Sequence, residues 1–363
     1  MLRNSKIKVA IVDDSAFMRK SLTLMLQSDE HIEIIGTARD GEEGYNLVKN
    51  KRPDVVTLDI EMPKVDGLTA LERIMKDCPT PVLMVSSLTV EGAEATLKAL
   101  ELGAVDFIPK GMSYVNMDIV KIKEDLISKV RTIAKRESLR ETLRRLRSIT
   151  SDKKNGNGSA ETTFINNKKI NSNYKAIAIG ISTGGPLSLQ KFLPNISQKV
   201  IQPILIVQHM PPMFTKSLAE RLNSMCKHEV KEAENDEPVR NGYVYIAPGG
   251  KHMTVHKKSL DTLIRISDYP NDTLHKPSVD VMLNSVADTY GDKTLSIIMT
   301  GMGRDGTEGV QKIKNLGGQC IAQDENSCVV YGMPKSIVDS GLADTVVPLE
   351  RIADVINNGV ANG

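Results

Sequence analysis

Short, almost wholly apolar runs alternate with longer amphipathic stretches along the first third of the chain. IKVAIV, VVTL, PVLMV and VDFI are bounded by Asp, Pro and Gly and predict buried β-strands. Between them, FMRKSLTLMLQ, GEEGYNLVKN and LTALERIMKD carry apolar residues at helical spacing. Apolar strands separated by helices predict a doubly wound parallel sheet with helices on both faces. From Asn116 a helical pattern runs through IVKIKEDLISKVRTIAKRESLRETLRRLRS and becomes strongly basic. The next stretch, SDKKNGNGSAETTFINNKKINSN, is too polar to bury a core and predicts a flexible linker. Apolar runs restart with KAIAIGIS, IQPILIVQH, GYVYIAP and TLSIIMT, with helical spacing in PLSLQKFLPNI and SVDVMLNSVADTY. GGQCIAQ and TVVPL add candidate strands near the end. The pattern predicts one α/β domain over 1–131, a basic helix and linker over 132–173, and a second α/β domain with a mostly parallel sheet over 174–363.

Composition narrows the partners. The 363 residues suit two domains, and 40% apolar with 25% charged residues is ordinary globular usage. Lys and Arg number 47 against 45 Asp and Glu, a net charge of +2, which gives no global attraction to nucleic acid or a membrane surface. Trp is absent and aromatics are 4%, which argues against base-stacking platforms. No apolar run approaches the ~18 residues of a membrane span, and the start lacks a leader's apolar stretch. Cys78, Cys226, Cys320 and Cys328 form no Cys-x-x-Cys pair, so four reduced thiols in a cytoplasmic protein are expected. No nucleic-acid partner and no membrane insertion are expected.

Two groups of polar residues sit where strands end. Asp13 and Asp14 follow IKVAIV, and Asp59 follows VVTL. In a parallel α/β sheet such positions converge on one crevice, where three carboxylates repel one another unless a cation joins them. Hard oxygen donors in this number suit Mg²⁺, which binds a phosphate alongside. Ser86 ends PVLMV and Lys110 follows VDFIP, so a hydroxyl and an ammonium are available for phosphoryl oxygens. The set predicts a phosphoacceptor site in which Asp59 becomes an aspartyl phosphate.

In the second half, Gly180-Ile181-Ser182-Thr183-Gly184 matches Gly-x-Ser-x-Gly between a predicted strand and helix, the context that exposes a nucleophilic Ser. Its rival, a phosphate-cradling turn, lacks the Gly-x-Gly-x-x-Gly and P-loop patterns. Of six histidines, His209 follows the strand IQPILIV and is the expected base; His252, after GYVYIAPGGK, is its nearest competitor. Asp305, in TGMGRDG after TLSIIM, is the expected carboxylate partner. The order Ser…His…Asp differs from that of α/β-hydrolases, which predicts a different scaffold with a convergent triad. Gly301, Gly303 and Gly306 allow close approach of backbone to substrate, and the N–H groups of Thr183 and Met302 are oxyanion candidates.

VDDS, LDIEMPKVDG, VSS and DFIPK resemble a two-component receiver domain. GISTGGP, QHMPPMFTKSLAERL, YVYIAPGGKH, HKPSVDVML and MTGMGRDGTEG resemble the catalytic domain of the chemotaxis protein-glutamate methylesterases, a family in which a receiver precedes the enzyme. The resemblance implies a flavodoxin-like receiver and a Rossmann-like catalytic domain. It implies phosphorylation of Asp59 by a chemotaxis histidine kinase, Mg²⁺ held with help from Asp13 and Asp14, and Phe107 as switch aromatic. It further implies hydrolysis of glutamate γ-methyl esters on methyl-accepting chemoreceptors with release of methanol, deamidation of selected glutamines, the triad Ser182, His209 and Asp305, no cofactor for the ester reaction, and a monomer. Ile181 stands where Ala is commoner, and Lys276 where Arg is commoner, which removes a planar fork from the substrate region. Two competing readings are a receiver-controlled nucleic-acid binder, suggested by the basic stretch RTIAKRESLRETLRRLRS, and an adaptor that binds receptors without hydrolysis.

Overall fold

Val9 to Val12, Val55, Val56 and Leu58, and Val82 to Met84 are all fully buried, because each run lies inside a sheet with both faces covered. In the structure, a computed structural model, residues 6–110, 119–134, 170 and 173–361 are described. The chain divides into two units, Met1–Gly156 and Asn157–Gly363. The basic stretch beyond Ala134 and the Asn/Lys-rich segment as far as residue 169 lie outside the described residues.

The first unit holds β1 (Ile7–Val12), β2 (Ile32–Ala38), β3 (Val55–Asp59), β4 (Val82–Ser86) and β5 (Asp106–Pro109) in the order β2-β1-β3-β4-β5. All four pairings are parallel, which is the flavodoxin-like doubly wound arrangement with its reversal between β1 and β3. The helices are α1 (Ala16–Gln27), α2 (Gly41–Lys51), α3 (Gly67–Asp77), α4 (Val90–Glu101) and α5 (Ile119–Ala134). Ser15, Asp40, Asp66 and Thr89 cap the first four, each side chain accepting from the backbone N–H three residues on. The β2 strand, IEIIGTA, escapes the buried-run criterion because several of its residues are part-exposed at the sheet edge.

The main sheet of the second unit is built from β6 (Ala176–Ile181), β7 (Ile204–Gln208), β8 (Glu229–Glu232), β9 (Tyr243–Ile246), β12 (Thr294–Ile298), β13 (Gln319–Gln323) and β14 (Thr345–Val347). These seven strands run in the order β14-β13-β12-β6-β7-β9-β8, parallel throughout. An antiparallel hairpin, β10 (His252–Lys258) with β11 (Asp261–Ser267), lies outside this sheet and is too polar for the hydrophobic pattern to reveal. The covering helices are α6 (Gly185–Phe192), α7 (Phe214–Met225), α8 (Val279–Tyr290), α9 (Thr307–Asn315), α10 (Met333–Asp339) and α11 (Leu349–Ala361). Val279, Met282, Leu283 and Val286 of α8 pack with Ala178, Val207 and Ile298 in the core. A fully buried aliphatic side chain contributes about 1.5–3 kcal/mol, so this layer holds the sheet and α8 together. The sheet is doubly wound: from central β6 the chain moves one way to β7 and β9, then returns to β12 on the other side. Such a reversal opens a crevice at the strand C-termini.

Candidate functional site

In the first unit, Asp13 follows β1 and is fully buried, Asp59 ends β3 and is 1% exposed, and Asp14 is exposed. One carboxylate oxygen from each lies within 4.8 Å of the other two. Lys110 reaches in from the end of β5, paired with Asp59 Oδ2 and 3.6 Å from Asp13 Oδ2. Asp13 Oδ2 is buried without a hydrogen bond. Arg19 Nη1 donates to the carbonyls of Asp13 at 2.7 Å and Asp14 at 2.9 Å, which fixes the loop carrying both acids. Burial pushes the Asp59 carboxyl up to about 6, against the opposing hydrogen bond from Lys110; burial likewise raises Asp13. A buried oxygen without a hydrogen bond among three crowded carboxylates fits a hard divalent cation, and Asp13, Asp14 and Asp59 are the donors that would hold it. Ser86 is placed differently from expectation: its Oγ donates to Gly92 O at 3.1 Å and accepts from Thr96 Oγ1 at 2.7 Å, so its hydroxyl faces α4. Phe107 is buried in β5 with Lys129 Nζ 5.8 Å from its ring centre.

In the second unit, Ser182, His209 and Asp305 follow three adjacent strands, β6, β7 and β12. Ile181 is registered with Gln208, and the His209 N–H donates to Ile181 O at 3.2 Å. The Ser182 N–H donates to Thr300 O at 3.0 Å, tying β6 to the segment after β12. His209 Nε2 bonds Asp305 Oδ2 at 2.8 Å. A carboxylate only accepts, so the ring carries its proton on Nε2 and leaves Nδ1 as the basic nitrogen. Nδ1 is buried without a partner, and among the described residues no hydrogen bond links Ser182 Oγ to it. Asp305 is held by the first turn of α8: Val279 N at 2.7 Å, Asp280 N at 2.9 Å and Ser278 Oγ at 3.0 Å. Burial alone would raise the Asp305 carboxyl. The bond and charge of His209, with these backbone donors, outweigh it and hold the group well below the usual carboxylate range. Gly184 takes φ 76°, which turns the chain from β6 into α6 and would strain any other residue.

Two family models divide the chain. The response regulator receiver domain matches residues 9–119, and CheB methylesterase matches residues 177–356. A Lawsonia intracellularis protein named protein-glutamate methylesterase/protein-glutamine glutaminase is 51% identical over 351 residues, 96% of this chain and 97% of its own. The chain belongs to the receiver-bearing CheB methylesterase family. A relative of the same name, numbered 2, from Nitratidesulfovibrio vulgaris is 49% identical, covering 98% of this chain and 99% of its own. The solved CheB methylesterase catalytic domain of Thermotoga maritima aligns with a TM-score of 0.50 and 44% identity, covering 51% of this chain and 98% of that one.

Gln208 and Thr300 join this CheB-family site without being singled out by the sequence. Gln208, 1% exposed, donates from Nε2 to Ser182 O at 2.9 Å and His209 O at 3.2 Å, clamping the two loops. Thr300, fully buried, donates to Thr183 O at 2.9 Å and accepts from Val330 N at 2.9 Å. A Cβ on Gly301 would press on Ser182 Cβ and Met333 Sδ, so that glycine lets the segment after β12 lie against Ser182. His252 does not reach the carboxylate or Ser182; it is fully buried and bonded to Pro270, Thr273 and Ser278. His275 stacks on His209, ring centres 4.2 Å apart. Lys276 donates to Asn271 Oδ1 at 2.7 Å within its own loop.

Proposed function

We propose that this chain is a phosphorylation-regulated serine hydrolase that removes γ-methyl groups from glutamates of methyl-accepting chemoreceptors and deamidates selected receptor glutamines. The relatives' names and both family models support the reaction. The observation that carries the site assignment is the 2.8 Å bond between His209 Nε2 and Asp305 Oδ2, made beside Ser182 where the sheet reverses.

Ser182 Oγ attacks the γ-carbonyl carbon as His209 Nδ1 takes its proton. Asp305 supports the resulting imidazolium. The tetrahedral oxyanion faces the backbone N–H groups of Thr183 and Met302, the first following Ser182 and the second following Gly301. Collapse expels methoxide, which leaves as methanol with the proton from His209; from a glutamine, ammonia leaves instead. Water, deprotonated by His209, then attacks the acyl-enzyme and frees glutamate and Ser182.

The regulatory half, 1–131, joins the catalytic half, 174–363, through residues 132–173. Asp59 attacks the phosphorus of a histidine kinase's phosphohistidine; the new P–O bond forms as the P–N bond breaks. Asp13, Asp14 and Asp59 would hold Mg²⁺, which would supply charge to offset the incoming phosphoryl group. Lys110 contacts a phosphoryl oxygen, and Ser86 does so after its hydroxyl leaves Gly92 O, with Phe107 repacking behind it. Among the described residues no helix is long and apolar enough to cross a membrane. We infer that the chain works in the cytoplasm, as a monomer.

The test is methanol release from methylated receptor, with and without a phosphodonor. Ser182→Ala should lose all but the residual acceleration from oxyanion donors and binding. A wild-type rate in that variant would refute the nucleophile.

A further inference from the structure

We infer that His252 is a positioning residue for the hydrolytic reaction: it fixes Ser278, and through Ser278 the Asp305 carboxylate that orients His209. The inference rests on the triad reading above.

His252 opens β10 and is fully buried. Its Nδ1 accepts from the Ser278 N–H at 3.2 Å. A backbone N–H can only donate, so Nδ1 is unprotonated, and the ring proton sits on Nε2. That proton points to Pro270 O at 3.0 Å, with Thr273 Oγ1 at 3.2 Å. Both edges of a neutral ring are used, and the tautomer is locked. Burial, which lowers the ring's proton affinity, works in the same direction; Lys276, Asp305 and Asp268 are the charged groups that act on it.

Ser278 is the N-cap of α8, its Oγ accepting from Val281 N at 3.4 Å and donating to Asp305 Oδ1 at 3.0 Å. The next two residues donate their backbone N–H groups to the same carboxylate. His252 therefore fixes the residue at which this three-donor turn begins. It also gathers Pro270, Thr273 and Ser278, the span that carries His275 against the His209 ring. Imidazole suits the position because it offers an acceptor on one edge and a donor on the other while remaining uncharged.

The experiment uses the full chain with an acyl-phosphate donor and Mg²⁺, and reads methanol release from methylated receptor. An Asn amide oxygen can take the place of Nδ1, whereas a Gln side chain reaches the Nε2 position and leaves the Ser278 N–H without its acceptor. His252→Gln should lower kcat about tenfold or more with KM little changed, as for other groups that orient a reacting side chain. His252→Asn should recover most of that loss. The far-downfield ¹H resonance of the proton between His209 and Asp305 should broaden or move in His252→Gln and persist in His252→Asn. Ser278→Ala, which keeps the ring contact and removes only the Oγ link, should lower kcat without raising KM and decides the question if neither His252 variant folds. Wild-type kcat in His252→Gln or Ser278→Ala would overturn the inference. So would equal losses in both His252 variants, or a lowered melting temperature with the downfield resonance unchanged. Ser182→Ala, assayed alongside, separates the readings: if it stays active the triad itself is wrong, and if it is dead while His252→Gln is unimpaired only the positioning role falls.

Discussion

Asp305→Asn tests the site through two independent readouts. The wild-type carboxylate accepts four hydrogen bonds: His209 Nε2 and Val279 N on Oδ2, Ser278 Oγ and Asp280 N on Oδ1. An amide has one acceptor oxygen, so its NH₂ must face a backbone N–H, that of Val279 in one orientation and that of Asp280 in the other. Leaving such a donor unpaired costs about 1–3 kcal/mol, which should appear as a lower melting temperature. The loss in rate is larger, because the imidazolium formed at His209 no longer faces an anion. The analogous change in a Ser-His-Asp protease lowers kcat about 10⁴-fold, or roughly 5 kcal/mol in the barrier. The stability difference also has a pH signature. Asp305 is depressed in the folded chain, so its contribution is present above the unfolded value near 4 and is lost as pH falls toward the folded value. The gap in stability between wild type and Asp305→Asn should therefore hold at neutral pH and narrow below about pH 4. Methanol release gives kcat and KM, and circular dichroism gives unfolding. A kcat/KM within about tenfold of wild type would refute the catalytic role. A gap that did not narrow in acid would refute the electrostatic account of the α8 turn.

The remaining predictions concern both halves. Asp59→Asn should abolish stimulation of methanol release by an acyl-phosphate donor with Mg²⁺; stimulation that survived would place the acceptor elsewhere. With Asp59 raised to about 6, phosphorylation at low Mg²⁺ should fall as pH drops through that value, and added Mg²⁺ should move the midpoint lower, measured by phosphoryl incorporation. The raised carboxyl makes the folded state less favourable as pH climbs from the unfolded value to about 6, so Mg²⁺ should raise the receiver's melting temperature more at pH 7 than at pH 5. Gly301→Ala should leave the chain folded and lower kcat by about 10²-fold, because the new Cβ displaces Ser182; wild-type kcat would show that the segment yields freely.

The strand ends are readable because buried parallel strands are continuous apolar runs, and the first polar residue after each run marks the crevice. Asp13, Asp59 and Ser182 follow that rule, whereas after ILIV the first polar residue is Gln208 and His209 comes one position later. Choosing between His209 and His252 is harder, since both follow apolar runs. The difference lies in a third dimension: β7 is a sheet neighbour of β6, whereas β10 belongs to a separate hairpin. The roles of Ser278 and Gln208 are invisible because a cap and an amide clamp act through contacts distant in the chain. Ser86 does stand at a strand end, but the direction of its hydroxyl depends on α4, which the apolar pattern does not isolate.

Because β6 is flanked by β7 on one side and β12 on the other, its two pairings close chain loops of very different length. His209 and Asp305 are 96 residues apart. Closing the longer loop carries the greater entropic cost and belongs to the slow, non-local part of folding. During synthesis, β6, β7 and β9 emerge well before β12, so Ser182 and His209, the proposed nucleophile and base, can be in place while Asp305 is still unmade. Hydrolytic competence then arrives with the β6–β12 pairing, and it should be the last property regained on refolding and the first lost when that edge opens.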